Sequence, residues 1–320
     1  MDINQLRTLL HVAELGSLSR AAERLRIAQP ALSRQVRLLE EELGARLFDR
    51  HGRGMTPTEK GREALRHAQR VMAELEEIRA AVADEDAALR GHVSVGMPPT
   101  VSAILARPLV AAFSARHPDA TLRIVDAYTG YLRDWLHRGE LHLAIMYQSP
   151  PARSLRVTPL LEERLHLVGP PGAGLSPARP VTAAEVAARR LFLPSPGHGL
   201  RALVETWAAA AGVALDVRVE ADSYAILTAL AETGPGCTLL PLAPIRREIA
   251  AGRLAHAPIA DPAPRRRLEL AMPADRAAPR LARFAAQALR DIAGDLVRGG
   301  QWSGRLIGGG EPDPAGGAAS

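Results

Sequence analysis

Gln29, Ser33, Arg34 and Arg37 recur about one helical turn apart, and their side chains share a chemistry. An arginine fork can bond a guanine edge with two N–H groups, a glutamine can pair with adenine, and a serine can serve either a base or a phosphate. Such reading requires one helix that shows these residues on one face and buries the other. Leu32, Val36, Leu39 and Leu43, spaced four, three and four apart, supply that buried stripe. Pro30 sits in the first turn, where no intrahelical acceptor is lost by the missing N–H. A solvated face of an ordinary amphipathic helix would also carry Arg and Gln, so the surrounding elements decide between the two readings.

Those elements form a compact three-helix pattern. Leu6, Leu9, Leu10 and Ala13 mark one helical face, and Gly16 stops it. Ser17 is a suitable N-cap for a second helix that turns Leu18, Ala21, Ala22 and Leu25 inward, and Arg26-Ile27-Ala28 makes the turn into the third. Beyond Gly44, the segment from Leu47 to Thr58 carries Arg50 and Arg53 around Gly52 and Gly54. This composition suits a short hairpin wing whose cations lie on phosphates and position the protein.

The stretch resembles the winged helix-turn-helix of LysR-type transcriptional regulators. The resemblance is carried by Ala21-Ala22, Leu25, Gln29-Pro30-Ala31-Leu32-Ser33, Leu39-Glu40, Leu43-Gly44, Leu47-Phe48, Arg50, Thr56-Pro57-Thr58 and Gly61. It implies double-stranded DNA as a partner, met by Gln29, Pro30, Ser33, Arg34, Arg37, Arg50 and Arg53 in a module over residues 1–58.

A long helix is expected from a cap at Thr58 to about Leu89. Ala64, Ala68, Val71, Leu75, Ile78 and Val82 alternate four and three apart along it, the spacing of a coiled-coil seam. Packing within its own domain is the alternative. The resemblance implies that this linker, residues 59–89, dimerises the chain, and that a homodimer or homotetramer presents two reading heads to DNA.

From Gly91 strands and helices alternate. Strands are expected at His92–Met97, Thr121–Val125, Leu141–Met146, Leu165–Val168, Leu191–Leu193, Val217–Glu220 and Cys237–Leu240, with helices between several of them, which implies a mostly parallel α/β sheet. The fold class is therefore α plus α/β. The region resembles the two-lobed effector-binding domain of the LysR type, similar in fold to periplasmic solute-binding proteins. That resemblance implies two crossings between lobes, near Pro159 and near Pro264 to Leu268. One lobe would span about 90–160 and 267–298, the other about 161–266. Its closing strand would be Leu268–Met272, with a helix after Pro279. Residues 299–320, rich in Gly, Ala and Pro, are expected to form an unstructured tail.

Carried over position by position, the resemblance implies that a small-molecule effector would contact Thr100, Ser102, Thr129, Tyr147 and Ser195. Capping and loop hydrogen bonding are the alternative roles of these hydroxyls. In family members that bind aromatic carboxylates an arginine can stand where Tyr147 stands here, so an anion site does not carry over with the resemblance. Met97-Pro98-Pro99-Thr100, Met146-Tyr147-Gln148-Ser149-Pro150 and Leu191-Phe192-Leu193-Pro194-Ser195 are similar to the nitrogen-assimilation-control branch.

Composition narrows the alternatives. The chain has 320 residues, 47% hydrophobic and 23% charged, with a formal charge of +5 that favours an anionic partner. Its single cysteine, Cys237, allows no intrachain disulfide and no Cys-based metal cluster, so no metal and no cofactor is expected. No GxSxG or P-loop pattern supports an enzyme. No secretory signal or membrane-length apolar run is visible, which points to the cytoplasm. A solute-binding or sensor protein without DNA reading would account for the lobes but not for the first 58 residues.

Overall fold

The computed structural model describes residues 1–51, 54–81, 89–148 and 152–307. The chain divides into two compact units, one over Met1–Gly91 together with His137–Glu140, and a larger one over His92–Leu136 and from Leu141 onward.

In the first unit, Asp2 accepts from the Gln5 amide and the Gln5 side chain returns to the Asp2 amide, a capping box that starts α1 (Ile3–Leu15). Ser17 caps α2 (Leu18–Leu25), and α3 (Gln29–Leu43) follows with Pro30 in its first turn. The wing is an antiparallel hairpin of β1 (Phe48–His51) and β2 (Gly54–Pro57). The Thr58 hydroxyl donates to the Arg46 carbonyl (2.8 Å) and accepts from the Gly61 amide (2.9 Å), capping α4 (Glu59–Ala81). Gly61 is required for close approach: a Cβ there would lie 1.9 Å from the Leu47 carbonyl oxygen.

The core of this unit joins Leu6, Leu9, Val12, Ala21, Ala22, Leu32, Val36, Leu39, Leu47, Phe48, Met55 and Ala68. Leu10, Ala13, Leu18 and Leu25 reach only its rim. Leu43, expected in the buried stripe, is 44% exposed because the core ends at Leu39 and α3 runs one turn past it. The expected seam also divides. Ala64, Leu65 and Ala68 pack into this intramolecular core, whereas Val71 and Ile78 are exposed and Leu75 is half-buried. Val82 lies outside the described residues, and Leu89 is already non-helical.

The larger unit opens with β3 (Gly91–Met97), α5 (Pro99–Arg116), β4 (Ala120–Asp126), α6 (Thr129–Arg138) and β5 (Leu143–Tyr147). It continues through β6 (Leu155–Arg164), β7 (His166–Gly169), α7 (Ala183–Ala187), β8 (Arg190–Leu193) and α8 (Gly199–Ala210). After these come β9 (Asp216–Glu220), α9 (Tyr224–Thr233), β10 (Thr238–Leu240), α10 (Arg246–Ala250) and β11 (Ala255–Pro258). The chain then returns through β12 (Arg265–Pro273), α11 (Arg280–Arg298) and β13 (Arg305–Leu306).

Two lobes result. The first holds a six-stranded sheet in the order β13-β6-β12-β5-β3-β4, and the second holds the antiparallel β10-β7-β11 sheet joined through a Leu191–Cys237 bridge to the parallel pair β8-β9. The sheets are thus mixed rather than mostly parallel, because β6 and β12 run between lobes in opposite directions and pair antiparallel with each other. The two connecting strands are β6, which contains Pro159, and β12, which begins at Arg265 beside the expected Pro264 to Leu268. Pro159 stays inside β6 opposite Glu269, at a register shift that accommodates a residue with no N–H to give.

Residues 299–307, expected within an unstructured tail, are ordered in the first lobe. Trp302 is 1% exposed, and β13 extends the first lobe's sheet by pairing Arg305 with Glu162 and Leu306 with Leu161. The glycine-rich composition hides one large apolar side chain, and burying it orders residues that periodicity could not flag. Residues 308–320 lie outside the described ones. Among the described residues, no helix is long and apolar enough to cross a membrane.

Candidate DNA-reading head and effector cleft

On α3, Gln29, Pro30, Arg34 and Arg37 are exposed and Ser33 is half-buried. Arg37 lies 3.5 Å from Glu41, a solvent-exposed pair of little energetic weight. Arg34 forms no ion pair among the described residues. Arg50 is exposed on β1, opposite Met55, while Gly52 and Arg53 fall outside the described residues.

Two side chains whose positioning roles the sequence did not reveal hold this surface in place. The Glu40 carboxylate accepts from the amides of Leu47 (2.7 Å) and Phe48 (3.3 Å), fixing the wing's base to α3. Thr8, buried on α1, donates to Gln35 (2.5 Å) and pins the middle of α3. A Glu beside a turn and a Gln beside an apolar stripe look like surface residues until the third dimension is known.

In the second unit the two lobes meet at an inner cavity of about 30 Å³, and an outer cleft of about 1070 Å³ shares part of its lining. Thr100 and Tyr147, both expected as effector contacts, line the inner cavity, and their hydroxyls lie 2.5 Å apart. Thr129 and Ser195 line the outer cleft. The Thr129 hydroxyl accepts from the Tyr147 amide (3.2 Å), and Ser195 donates its hydroxyl and amide to Asp222 (2.8 and 2.9 Å). Ser102, further along the first turns of α5, lines neither cavity.

The side chain that dominates the cavity was not anticipated. Arg266, on β12, stacks its guanidinium 4.2 Å from the Tyr147 ring centroid and donates to Thr100 (3.2 Å) and to Glu163 on β6 (2.6 Å). Burial opposes its charge, but the Glu163 carboxylate and the Tyr147 contacts outweigh burial and hold its pKa above the ordinary arginine value. The Tyr147 phenol is pushed up to about 12, chiefly by burial, and stays a neutral donor and acceptor. A period-of-two signal was present: in Arg265-Arg266-Arg267 the middle residue faces opposite its neighbours, and only the middle one is buried. The strand begins at Arg265, three residues before the expected Leu268, and so includes all three arginines.

At the mouth, Asp222 is held below the usual carboxylate range by the Ser195 amide and then by its hydroxyl. His198 caps α8, its Nδ1 accepting from the Leu200 amide (3.1 Å), and meets the Tyr128 ring edge-on at 4.4 Å. Burial lowers its pKa, with Asp222 pulling the other way, so a neutral imidazole with the proton on Nε2 faces the cleft. Cys237 is buried, and burial pushes its thiol up.

Residues 3–62 match the bacterial regulatory helix-turn-helix protein, lysR family, and residues 86–293 match the LysR substrate binding domain. The chain belongs to the LysR family of transcriptional regulators. It is 34% identical to the nitrogen assimilation regulatory protein nac of Klebsiella aerogenes over 75% of this chain and 78% of that one. It is 32% identical to a probable hydrogen peroxide-inducible genes activator of Mycobacterium leprae over 83% of this chain and 86% of that one. The crystal structure of full-length CbnR complexed with its target DNA is similar in fold, with a TM-score of 0.64 at 22% identity, covering 91% of this chain and 100% of that one. In this LysR-type regulator the matched regions correspond to the reading head and to the two-lobed unit.

Proposed function

We propose that this regulator acts in the cytoplasm as a homodimer or homotetramer that reads an operator through α3 and answers to a small molecule in the inter-lobe cleft. Gln29, Pro30, Ser33, Arg34 and Arg37 face the major groove, and Arg50 and Arg53 lie on phosphates. The observation that carries this reading is the exposed α3 face, whose Arg34 has no ion-pair partner among the described residues while Leu32, Val36 and Leu39 on the opposite face are buried in the core. Val71 and Ile78, apolar and exposed on α4, support a seam between two copies.

Tyr147, Thr129 and Ser195 touch the effector in the wider cleft, with Thr100 hydrogen-bonded to Tyr147 at the inner cavity behind it, and no catalysis is needed to explain any of these groups. One relative's name mentions hydrogen peroxide, but a single buried cysteine with a raised thiol pKa favours a bound metabolite as the signal here. Footprinting on genomic DNA would supply an operator. Arg34→Ala should then weaken that site far more than random DNA, and equal losses on both would overturn base reading. A thermal-shift screen of metabolites on the parent and on Thr100→Val tests the cleft, where a hit that shifts both proteins alike would remove Thr100 from the site.

A further inference from the structure

Trp302 is fully enclosed behind β6, and its indole N–H donates to Glu163 (2.8 Å). The same carboxylate takes the Arg266 Nε–H on its other oxygen, and Arg266 in turn reaches Thr100 and covers the Tyr147 ring. One row of contacts therefore links residues 302, 163, 266, 147 and 100, from the C-terminal segment to the inner cavity. The segment is seated at several points. The Ile307 amide donates to the Leu160 carbonyl (3.0 Å), and Arg246, at the start of α10 in the second lobe, donates to the Gly300 carbonyl (2.7 Å). Gly304 allows the approach to β6, since a Cβ there would lie 2.4 Å from Leu161 and 2.8 Å from the Glu162 carbonyl. Residues 300–307 thus touch both lobes and lie against β6, one of the two strands that cross between them.

We infer that Trp302 is a positioning residue for the effector cavity: through Glu163 it holds the Arg266 guanidinium over Tyr147, so that the C-terminal strap and the cavity are coupled. The inference rests on the reading of the cleft as an effector site. A carboxylate with two donors on two oxygens is held in one orientation. With the indole N–H removed, Glu163 is free to turn, and the guanidinium it orders loses its fixed plane. The coupling is reciprocal, so an effector that moves Arg266 must also be felt at Trp302.

The test uses the full chain without ligand, so that its failure is separate from failure of the effector reading, which the metabolite screen decides. Arginine Nε–H and tryptophan indole N–H signals are recorded by 15N NMR, together with amide exchange at Tyr147 and Gln148. In Trp302→Phe, which keeps a ring in the site, the Arg266 Nε–H signal should shift and exchange about tenfold faster, and the Tyr147 amide should follow, the size expected for one lost hydrogen bond to a charged group. Trp302→His, which restores a ring N–H in a smaller volume, should recover much of the Arg266 signature. An Arg266 signal unchanged in Trp302→Phe would show Trp302 to be a core plug only. Equal loss in both variants would assign the effect to volume and overturn the inference as well. Should Trp302→Phe fail to fold, Arg246→Ala loosens the strap from its surface anchor. A moved Trp302 indole signal with an unmoved Arg266 would then refute the coupling.

Discussion

The two candidate sites are built in opposite ways. On the reading head, Gln29, Arg34, Arg37 and Arg50 stand in solvent, and each is placed by the helix or strand beneath it. In the cleft, Thr100, Tyr147, Glu163 and Arg266 come from four elements and satisfy one another. A surface of the first kind loses function without losing its fold when a side chain is removed. A network of the second kind should lose both together.

The sharpest contrast follows from removing one arginine from each. Arg266→Met leaves the Glu163 carboxylate buried beside an apolar chain, and breaking a buried pair in this way costs about 3–5 kcal/mol. Arg34→Ala should change stability by less than about 0.5 kcal/mol. Each variant is melted in urea by the signal of its own unit: tryptophan fluorescence for Arg266→Met, because Trp135, Trp207 and Trp302 all lie in the larger unit, and helical circular dichroism for Arg34→Ala. Comparable midpoint shifts for the two variants, each against the parent, would dissolve the distinction.

The same difference explains what could be read from the sequence. Exposure on α3 is set by neighbours three and four residues away, and the spacing of Leu32, Val36 and Leu39 therefore gives the opposite face correctly. Leu43 misled because periodicity does not say where the packing partner ends. Ala64 and Ala68 suit an intermolecular seam or a close intramolecular contact equally well, and only the position of α1 shows which. Arg266, Glu163 and Trp302 meet across 103 to 166 residues of chain, counting Thr100, and no local pattern encodes that meeting. Sequence similarity supplied Thr100 and Tyr147 but not the arginine between the lobes, which arrives from a strand other than the one where an arginine would have been sought.

Acid should widen the gap between the units. Burial, then His92 and Arg276, lower His142 to about 4, and burial with His256 and Arg164 lowers His166 to about 4. Both lie in the larger unit. A folded-state pKa below the unfolded value near 6.5 means that the unfolded chain binds the extra proton between the two values. The stabilisation is therefore complete above about pH 6.5 and is lost as pH falls toward about 4, by up to about 3 kcal/mol for His142. Urea midpoints by tryptophan fluorescence should fall across this window, and His142→Asn should flatten the slope. A parent midpoint constant from pH 6.5 to 4 would contradict it.

Arg34→Ala sharpens the comparison at the level of binding. Loss of a bidentate contact to a base should cost about 1–3 kcal/mol on the operator, relax preference at one base pair and leave the fluorescence melt in place. A uniform loss across all sequences would reassign Arg34 to a phosphate.

The smallest effect probes whether the head, for all its local regularity, carries local strain. Arg26 ends α2 with φ at +54°, among the described residues the one non-glycine with positive φ, in the turn where the chain reverses toward α3. Its amide still donates to the Glu23 carbonyl (3.1 Å), and the Ile27 amide to Ala22 (3.0 Å), so the turn's hydrogen bonds do not depend on the side chain. A Cβ in this region costs roughly 1–2 kcal/mol, part of which glycine gives back through the entropy of the unfolded chain. Arg26→Gly should therefore stabilise the head by about 1 kcal/mol or somewhat less, seen as a later helical melt by circular dichroism with the tryptophan signal unmoved. A lower midpoint would mean that the Arg26 side chain stabilises the turn by more than its backbone strains it, and the reading head would then hold a cooperative contact of the kind assigned here to the cleft.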